Sequence, residues 1–318
     1  MSGPGHAVVM GATGLVGSAL VRRLVDDGWE VTATVRDADS LARVMGAVPG
    51  ARMVTLADAL DGGAISSVLA ERHPDVVVNC ISTNPTSGSD AARAYGSMNV
   101  TAVAVALDAC VRSDVGRAIV LGSGFEYSPA RSPLDEGSPI GPSTLYGATK
   151  VAGSVVARYF RNVAGLDVCV ARPFSLYGPH ERATRFVPYV ITSALSGQTI
   201  EMSSGAQIRD YLYVGDLVDG LVRLAGHEGP LPEALNFAGP GEHSLLDVAA
   251  LAVELTGSAA AIRTGAHPEN PGDRPVFLGD SRLAQEVLGW RPKHDLRSGL
   301  AETVDWYRTH CHLWETRA

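Results

Sequence analysis

Short apolar runs alternate with longer amphipathic stretches through the first half of the chain. The runs are rich in β-branched residues, which is typical of buried strands, and they lie at residues 6–10, 29–35, 53–56, 76–81, 118–122 and 166–171. Stretches with helical spacing separate them, notably residues 15–27, 89–112 and 145–163. Strands that alternate with helices predict an α/β fold in which helices cover both faces of a doubly wound parallel sheet.

The pattern changes after Pro173, where Gly, Pro and Ser become frequent and loops and short helices replace the regular alternation. No repeat and no long linker separates the two parts. We therefore predict a first domain over residues 1–171 and a smaller lobe over residues 172–318, with residues 207–226 packing back on the first domain. Because ligands of open α/β sheets lie at the carboxyl ends of the strands, this lobe is expected to bind the substrate there.

A glycine-rich segment joins the first predicted strand to the first predicted helix. Glycines in this context let the backbone approach a pyrophosphate, whose charge is met by the helix N-terminus. The spacing is G-x-x-G-x-x-G and no Gly-Lys-Ser/Thr follows, which excludes a nucleoside-triphosphate P-loop. An ordinary strand–helix turn is the plain alternative. We predict a Rossmann-type fold that binds a dinucleotide through Gly11, Thr13, Gly14, Leu15, Val16 and Gly17.

Arg36 stands at the end of the second predicted strand, about 20 residues after the glycine loop. An acidic residue in that place binds the ribose 2′-hydroxyl of NAD, whereas an arginine accommodates the 2′-phosphate of NADP. Asp37 follows directly and could bind the ribose of NAD, so NAD(H) is the alternative cofactor. Without a cofactor role, Arg36 would be an ordinary solvated surface arginine. The sequence therefore favours NADP(H) as the cofactor.

Composition narrows the partners and the compartment. The chain has 318 residues, of which 34 are acidic and 26 basic, a net charge of −8, and without a basic block a nucleic-acid partner is not expected. The four scattered cysteines are typical of thiols in a reducing compartment, and neither they nor the nine histidines show metal-ligand spacing. We identify no signal peptide and no apolar run near the ~18 residues that span a bilayer. We expect a cytoplasmic protein without a metal or a membrane partner.

Tyr146 and Lys150 are four residues apart in a predicted helix, so a phenol and an ammonium project from one face. A nearby ammonium favours the phenolate, which prepares a tyrosine to give and take a proton. Such pairs are also common on exposed helix faces, and it is the glycine loop that favours catalysis here. Ser123 follows an apolar strand and is placed to hydrogen-bond a substrate oxygen, although alone it is a plain loop serine. Asn99, inside a predicted helix, has either a polar role near the site or an ordinary structural one.

The glycine loop, Ser123 and Tyr146-x-x-x-Lys150, in this order, resemble the extended short-chain dehydrogenase/reductases. More narrowly, they resemble the epimerase, dehydratase and 4-ketoreductase group that acts on nucleotide-diphosphate sugars. The segments Arg-Pro-Phe-Ser-Leu-Tyr-Gly-Pro at 172–179 and Arg-Asp-Tyr-Leu-Tyr-Val-Gly-Asp at 209–216 are similar to two further family motifs, and the resemblance covers nearly the whole chain. It implies that Ser123, Tyr146 and Lys150 are catalytic and that helices 89–112 and 145–163 form a homodimer.

The resemblance also implies roles for residues that pattern alone does not assign. It places Asp58 at the adenine, and Arg209, with Arg274, at the diphosphate of a nucleotide sugar. The further cofactor contacts that it implies are Ile81, Asn99, Tyr146, Lys150 and Pro173. The substrate contacts that it implies are Thr83, Ser123, Ser175, Arg209 and Arg274.

Departures from the family pattern narrow the reaction. Family dehydratases carry an Asp-Glu pair directly after the Ser/Thr, but Gly124 and Phe125 stand there and Glu126 comes one place late. Ser175 also replaces the usual asparagine. We therefore predict an NAD(P)H-dependent reductase of a nucleotide-diphosphate 4-keto-6-deoxyhexose with Tyr146 as proton donor. The alternatives are an NAD-dependent nucleotide-sugar 4-epimerase and, less favoured, a redox-sensing NAD(P)-binding regulator.

Overall fold

The computed structural model describes residues 4–37, 48, 50–83, 90–270 and 272–310. Its strands are β1 His6–Met10, β2 Glu30–Val35, β3 Ala51–Thr55, β4 Val76–Asn79, β5 Arg117–Leu121, β6 Asp167–Pro173, β7 Ser175–Tyr177, β8 Ile200–Glu201, β9 Ile208–Arg209, β10 Tyr211–Tyr213, β11 Ala234–Phe237, β12 His243–Ser244, β13 Ile262–Arg263 and β14 Val276–Phe277. One seven-stranded sheet has the order β11-β6-β5-β4-β1-β2-β3, and every pair of neighbours in it is parallel.

Helices flank this sheet along the chain. They are α1 Leu15–Asp26, α2 Gly62–Arg72, α3 Ala91–Gly96, α4 Ala102–Arg112, α5 Leu145–Asn162, α6 Phe186–Leu195, α7 Val214–Ala225, α8 Leu245–Thr256, α9 Arg282–Leu288 and α10 Leu296–Thr309. A π-helical turn, Ser97–Thr101, joins α3 to α4, and a 3-10 turn, Gly124–Glu126, follows β5.

Alternate residues of β1 enter two different hydrophobic cores. Ala7 and Val9 belong to a core that includes the buried faces of α1 and α7. Val8 and Met10 belong to a second core, shared with α2, α4 and α5. Since successive side chains of a strand point to opposite faces, the sheet is covered on both sides. The predicted α/β fold with a doubly wound parallel sheet is confirmed.

The second half of the chain contributes to the large sheet as well as to smaller ones. Strand β11 pairs with β6, and α7, which lies within the predicted segment 207–226, packs against α1. The smaller sheets have the orders β10-β7, β12-β9-β14 and β13-β8. The division of the chain at residue 171 stays a prediction.

The helix predicted over residues 89–112 is interrupted in the structure. Ser89 lies outside the described residues, α3 begins at Ala91, and the π-helical turn breaks the regular hydrogen bonding before α4. The span Ala91–Arg112 is long and apolar enough to cross a membrane by length and composition, so the expectation of no such stretch was wrong. Of the 18-residue window within this span that meets the test, 44% is buried inside the protein.

Three of the four cysteines lie in the described part of the chain. Cys80, Cys110 and Cys169 are free and buried, and burial raises the pKa of each thiol to about 12. They remain protonated at neutral pH and behave as small apolar side chains. Cys311 lies outside the described residues.

The parallel strands bring their carboxyl ends to one edge of the large sheet. Each of six residues that the sequence singled out ends a strand or follows one within three positions, namely Gly11, Arg36, Asp58, Ile81, Ser123 and Pro173. This edge is where open α/β sheets bind their ligands.

Candidate active site

Lys150 and Tyr146 lie together on α5, against the end of β5. Thr144 caps the helix by accepting a hydrogen bond from the Gly147 amide at 3.0 Å. The Lys150 side chain is buried, and its Nζ donates to the Leu121 carbonyl at 2.8 Å and lies 5.8 Å from the centroid of the Tyr146 ring. The ammonium is therefore held beside the phenol by the last residue of the strand.

Gly147 explains how α5 comes so close to the turn after β5. A Cβ on this residue would collide with the carbonyl oxygen of Phe125, so only glycine permits the contact. Since Phe125 is two residues beyond Ser123, the close approach brings the start of α5 to the turn that carries Ser123. The structure thus places Ser123, Tyr146 and Lys150 around one strand end, and their catalytic roles stay predictions.

Ser123 is the buried N-cap of the 3-10 turn. Its Oγ accepts a hydrogen bond from the Phe125 amide at 3.2 Å, while its own amide donates to Oε1 of Glu126 at 2.9 Å. A hydroxyl that accepts one hydrogen bond still has its own hydrogen to donate. The turn therefore orients Ser123 so that it can donate to a substrate oxygen.

Glu126 points into the protein rather than toward a substrate. The residue is fully buried, and its Oε2 accepts from the Ser154 hydroxyl at 2.8 Å and from Nε of Arg172 at 2.9 Å. Arg172 in turn donates to the Tyr127 hydroxyl at 2.9 Å. Both carboxylate oxygens of Glu126 are thus occupied by internal donors, and the residue is not placed to act on a ligand.

Asn99 joins the loop after β4 to the helix α5. It is buried in the π-helical turn, where its Nδ2 donates to Oγ1 of Thr149 at 2.9 Å and its Oδ1 accepts from Ser82 at 3.4 Å. Short π-helical segments are frequent at functional sites. Thr149 directly precedes Lys150 in the sequence, so Asn99 is bonded to the helix beside Lys150. A contact between Asn99 and a cofactor stays a prediction.

The glycine loop is built to bind an anion. Gly11 has φ of +75°, and a Cβ there would lie 2.9 Å from the backbone of Cys80 and Ile81. Gly14 caps α1 without a side-chain hydrogen bond, and the first turn of the helix holds no acidic residue. The amides at this N-terminus are available to a pyrophosphate, so the loop fits a dinucleotide. Thr13, Leu15, Val16 and Gly17 belong to the same turn.

Arg36 and Asp58 lie at the same edge of the sheet. Arg36 is exposed and directly follows β2, the neighbour of β1. Asp58 is exposed beyond β3, and its Oδ1 accepts a hydrogen bond from the Leu60 amide at 2.8 Å. That bond closes a local turn, so Asp58 has a structural partner already. Both cofactor contacts stay predictions.

Of the two arginines predicted to bind a diphosphate, Arg274 has more N–H groups without a partner in the described part of the chain. Arg209 is buried and ion-paired with Asp273. Arg274 is only 2% exposed and donates through Nη2 to the Tyr127 carbonyl at 2.7 Å, but its Nε and Nη1 have no partner among the described residues. Burial, and then repulsion from Arg209, lowers the pKa of Arg274. The two N–H groups without a partner in the described part of the chain are free to pair with an acidic group, and the contacts of Arg209 and Arg274 to a diphosphate stay predictions.

Ser175 lies beside a buried carboxyl group. Its amide donates to Asp210 at 3.4 Å, and the other carboxyl oxygen of Asp210 accepts from the Gly279 amide at 2.5 Å. Burial raises the pKa of Asp210 to about 8. The Ser175 hydroxyl is buried without a partner in the described part of the chain. Thr83 is half-buried in the segment after β4, and both predicted substrate contacts stay predictions.

Sequence reasoning missed several residues that shape this site. The ring centroids of Tyr95 and Phe125 lie 5.9 Å and 6.1 Å from that of Tyr146, and Phe277 lies 4.5 Å from Phe125. The sequence could have identified Phe125 as a site residue, because it follows Ser123 by two positions. Tyr95 and Phe277 had none, since they come from distant segments of the chain.

Comparison with known proteins gives relatives along nearly the full length. The chain is 30% identical to a dTDP-glucose 4,6-dehydratase of Streptomyces antibioticus, over 98% of this chain and 94% of that protein. It is 31% identical to a dTDP-4-dehydro-6-deoxy-D-allose reductase of a Streptomyces species, over 95% of this chain and 96% of that protein. Relatives of similar identity therefore carry out different reactions.

Solved structures share the fold closely. Epimerase Mth375 of Methanothermobacter thermautotrophicus is 25% identical with a TM-score of 0.90, and the match covers 99% of this chain and 95% of that one. MoeE5, solved with UDP-glucuronic acid and NAD, is 28% identical with a TM-score of 0.86 over 96% and 99%. A profile of the NAD-dependent epimerase/dehydratase family matches residues 7–238. The predicted resemblance and enzyme class are confirmed: the chain belongs to the NAD-dependent epimerase/dehydratase family and is an NAD(P)-dependent oxidoreductase of the short-chain dehydrogenase/reductase type.

Proposed function

We propose that this protein is an NAD(P)H-dependent reductase of a nucleotide-diphosphate 4-keto-6-deoxyhexose. Relatives and neighbours act on or bind nucleotide sugars, among them the reductase and MoeE5 described above, which supports the substrate class. The observation that carries the choice of reaction is the turn after Ser123. It presents Gly124 and Phe125, while the nearby carboxylate of Glu126 is bound inside the protein. No carboxylate of this turn is placed to remove a sugar proton and expel water, as a dehydratase requires.

The residues around β5 suit the reduction of a ketone. When bound, the nicotinamide cofactor supplies the hydride. Ser123 and Tyr146 hydrogen-bond the carbonyl oxygen, and Tyr146 donates a proton as negative charge develops on that oxygen. Lys150 keeps a positive charge beside the phenol, which stabilises the phenolate that remains. Its bond to Leu121 keeps the ammonium in this position.

Arg274, with Arg209, holds the diphosphate of the substrate. Two buried nitrogens of Arg274 have no partner among the residues that the structure describes, so an oxygen of the diphosphate can accept hydrogen bonds from them. Binding energy from this remote group aligns the sugar ring with Tyr146. Arg36, exposed at the end of β2, favours NADP(H) over NAD(H) through a 2′-phosphate.

A 4-epimerase is the second candidate, because Ser123, Tyr146 and Lys150 also serve an enzyme that oxidises and re-reduces one carbon. The likeness to an epimerase structure supports this alternative. Arg36 argues for the reductase, since a dissociable NADPH suits a net reduction. A redox-sensing regulator is disfavoured, because such a protein does not need the serine, tyrosine and lysine at one strand end.

A cytoplasmic homodimer is part of the proposal. Three apolar side chains of α5 and that of its C-cap residue are 50–68% exposed, at a spacing that lines them up along one side of the helix. They are Leu145, Val155, Tyr159 and Val163. An apolar stripe of this kind on a helix is typical of a surface that a second subunit covers.

The decisive experiment offers the purified protein dTDP-4-keto-6-deoxyglucose with NADPH or NADH, and separately UDP-glucose without a reductant. The reductase consumes one NADPH per sugar and gives a product two mass units heavier. Conversion of UDP-glucose to UDP-galactose without net cofactor change would instead establish the epimerase. A Tyr146→Phe protein serves as the control for catalysis by contaminants.

A further inference from the structure

Phe125 lies between the two ends of the proposed substrate site. Its ring centroid is 6.1 Å from that of Tyr146, with an interplanar angle of 75°. On the other side, the guanidinium carbon of Arg274 lies 5.0 Å from the Phe125 centroid. A sugar whose ketone reaches Tyr146 while its diphosphate reaches Arg274 must therefore pass along the ring of Phe125.

Phe125 is the part of an aromatic cluster that such a sugar touches, because it is partly exposed, whereas its neighbour Phe277 is only 2% exposed. Phe277 packs against Phe125 with centroids 4.5 Å apart, and the guanidinium of Arg274 covers both rings. We call Phe125 and Phe277 the aromatic wall. Neither side chain carries a hydrogen-bond donor or acceptor, so a hydroxyl group pressed against the ring of Phe125 gains no hydrogen bond from that ring.

The shape of a pyranose decides which of its edges suits this wall. The reacting carbon C4 and the anomeric carbon C1 are at opposite corners of the ring, and two edges join them. The C2–C3 edge carries hydroxyl groups, which are costly to bury without hydrogen bonds. The other edge carries the ring oxygen and C5 with its substituent. If that substituent is a methyl group, its contact with the wall buries apolar surface, which is favourable, and the ring oxygen is the one polar atom on this edge.

We propose that Phe125 determines specificity by selecting a sugar with a methyl group on C5, a 6-deoxyhexose, over a hexose with a 6-hydroxyl. The inference deepens the proposed function and rests on it for the direction in which the sugar lies. It assigns a role in substrate specificity to Phe125, which stands at the position where the family dehydratases use a glutamate. The same side chain thus removes an acid from the site and supplies a contact for the methyl group.

The test compares two ligands that differ by one oxygen atom, dTDP-6-deoxyglucose and dTDP-glucose. Their dissociation constants are measured by calorimetry on the NADPH complex, in which neither alcohol reacts. The natural protein is expected to bind the 6-deoxy sugar about tenfold to a hundredfold more tightly. Phe125→Ser should reduce this ratio to about threefold or less, whereas Phe125→Leu, which keeps the wall apolar, should preserve it. Phe160→Leu, in the core away from the wall, should leave the ratio unchanged.

Thermal unfolding and NADPH affinity are measured for each variant, and Phe125→Leu keeps the test valid if the serine variant is unstable. Equal affinity of the natural protein for the two sugars overturns the inference, and so does an unchanged ratio in a folded Phe125→Ser protein. A reductase whose preference does not depend on Phe125 refutes this inference alone. A preference that depends on Phe125, in a protein that reduces no 4-keto sugar, refutes the proposed reaction alone.

Discussion

The carboxylate of Glu126 and the guanidinium of Arg172 form an ion pair at 2.9 Å, with side chains that are 0% and 7% exposed. The same carboxylate accepts hydrogen bonds from the Ser123 amide and the Ser154 hydroxyl. One buried group therefore connects the end of β5, the helix α5 and the strand β6. The position of Ser123 depends on an internal charge pair that itself contacts no ligand.

Glu126→Ala should destabilise the fold strongly. It leaves the cation of Arg172 buried without the carboxylate that pairs with it, which costs about 3–5 kcal/mol, and urea unfolding measures the loss. The matched control is Glu233→Ala, which breaks an ion pair of 2.8 Å with Arg158 whose side chains are 49% and 51% exposed. That loss should stay below about 1 kcal/mol. Equal losses in the two variants would contradict the importance of the buried pair.

Tyr146→Phe should lower kcat by about 10²- to 10⁴-fold, because it removes the proton donor. The dissociation constant of NADPH, measured by fluorescence, should change little, since the aromatic ring and its packing remain. Tyr159→Phe, on the exposed side of the same helix, is the control and should retain full activity. A Tyr146→Phe protein with normal kcat would refute the mechanism for both the reductase and the epimerase.

Arg36→Ser should weaken NADPH binding and leave NADH binding unchanged. Loss of a charge-assisted contact to the 2′-phosphate corresponds to about tenfold to a hundredfold in the dissociation constant. Arg131→Ser removes an exposed arginine elsewhere and should affect neither cofactor. If Arg36→Ser weakened the binding of NADPH and NADH equally, the side chain would not be in contact with the 2′-phosphate.

Stability should fall as the pH rises from about 5 to 8. Burial raises the pKa of Glu181, like that of Asp210, to about 8. A carboxyl group with a higher pKa in the folded than in the unfolded chain keeps its proton on folding, so its contribution is favourable at low pH and is lost as pH approaches the folded value. Each such group changes the unfolding free energy by up to ~1.4 kcal/mol per pH unit.

Glu181→Gln should remove one carboxyl's share of that slope, measured by urea unfolding at several pH values. Glu201→Gln is the control, because the Glu201 side chain is 41% exposed, and it should leave the slope unchanged. An unchanged slope in Glu181→Gln would contradict the raised pKa of Glu181.

The exposed stripe on α5 should hold two subunits together. Tyr159→Glu combined with Val163→Asp places charges on side chains that are 57% and 68% exposed, and light scattering after gel filtration should then report a monomer. Leu246→Asp changes a 40% exposed apolar residue of another helix and should leave the dimer intact. A natural protein that is monomeric at micromolar concentration would refute the proposed dimer.

The alternation of apolar runs and helical stretches was sufficient to predict the first six strands of the large sheet. Its last strand, β11, was missed because Ala234–Phe237 is short and lies in a region of frequent loops. Strands of two residues, such as β9 and β12, are too short to show any periodicity. They form only because distant segments meet.

The site was predictable where local sequence determines position. Ser123 and Gly11 follow strands, and the carboxyl ends of parallel strands meet at one edge. The pairing of Arg209 with Asp273 and the packing of Phe277 on Phe125 join residues far apart in the chain, which no local pattern reveals. The inward direction of Glu126 depends on a single 3-10 turn. In such a turn, a shift of one position decides whether a side chain points into the protein or toward a ligand.

The pairing of β11 with β6 has a consequence for how the protein is made. During synthesis the chain emerges from its N-terminus, and the six strands up to Pro173 are complete well before Ala234–Phe237 appears. Until then β6 has one unpaired side, on which another chain can add a strand. The nascent protein is therefore most prone to aggregate while the intervening sixty residues (174–233) are being translated. A chain truncated before Ala234 should stay prone to aggregation, because its β6 never gains this partner strand.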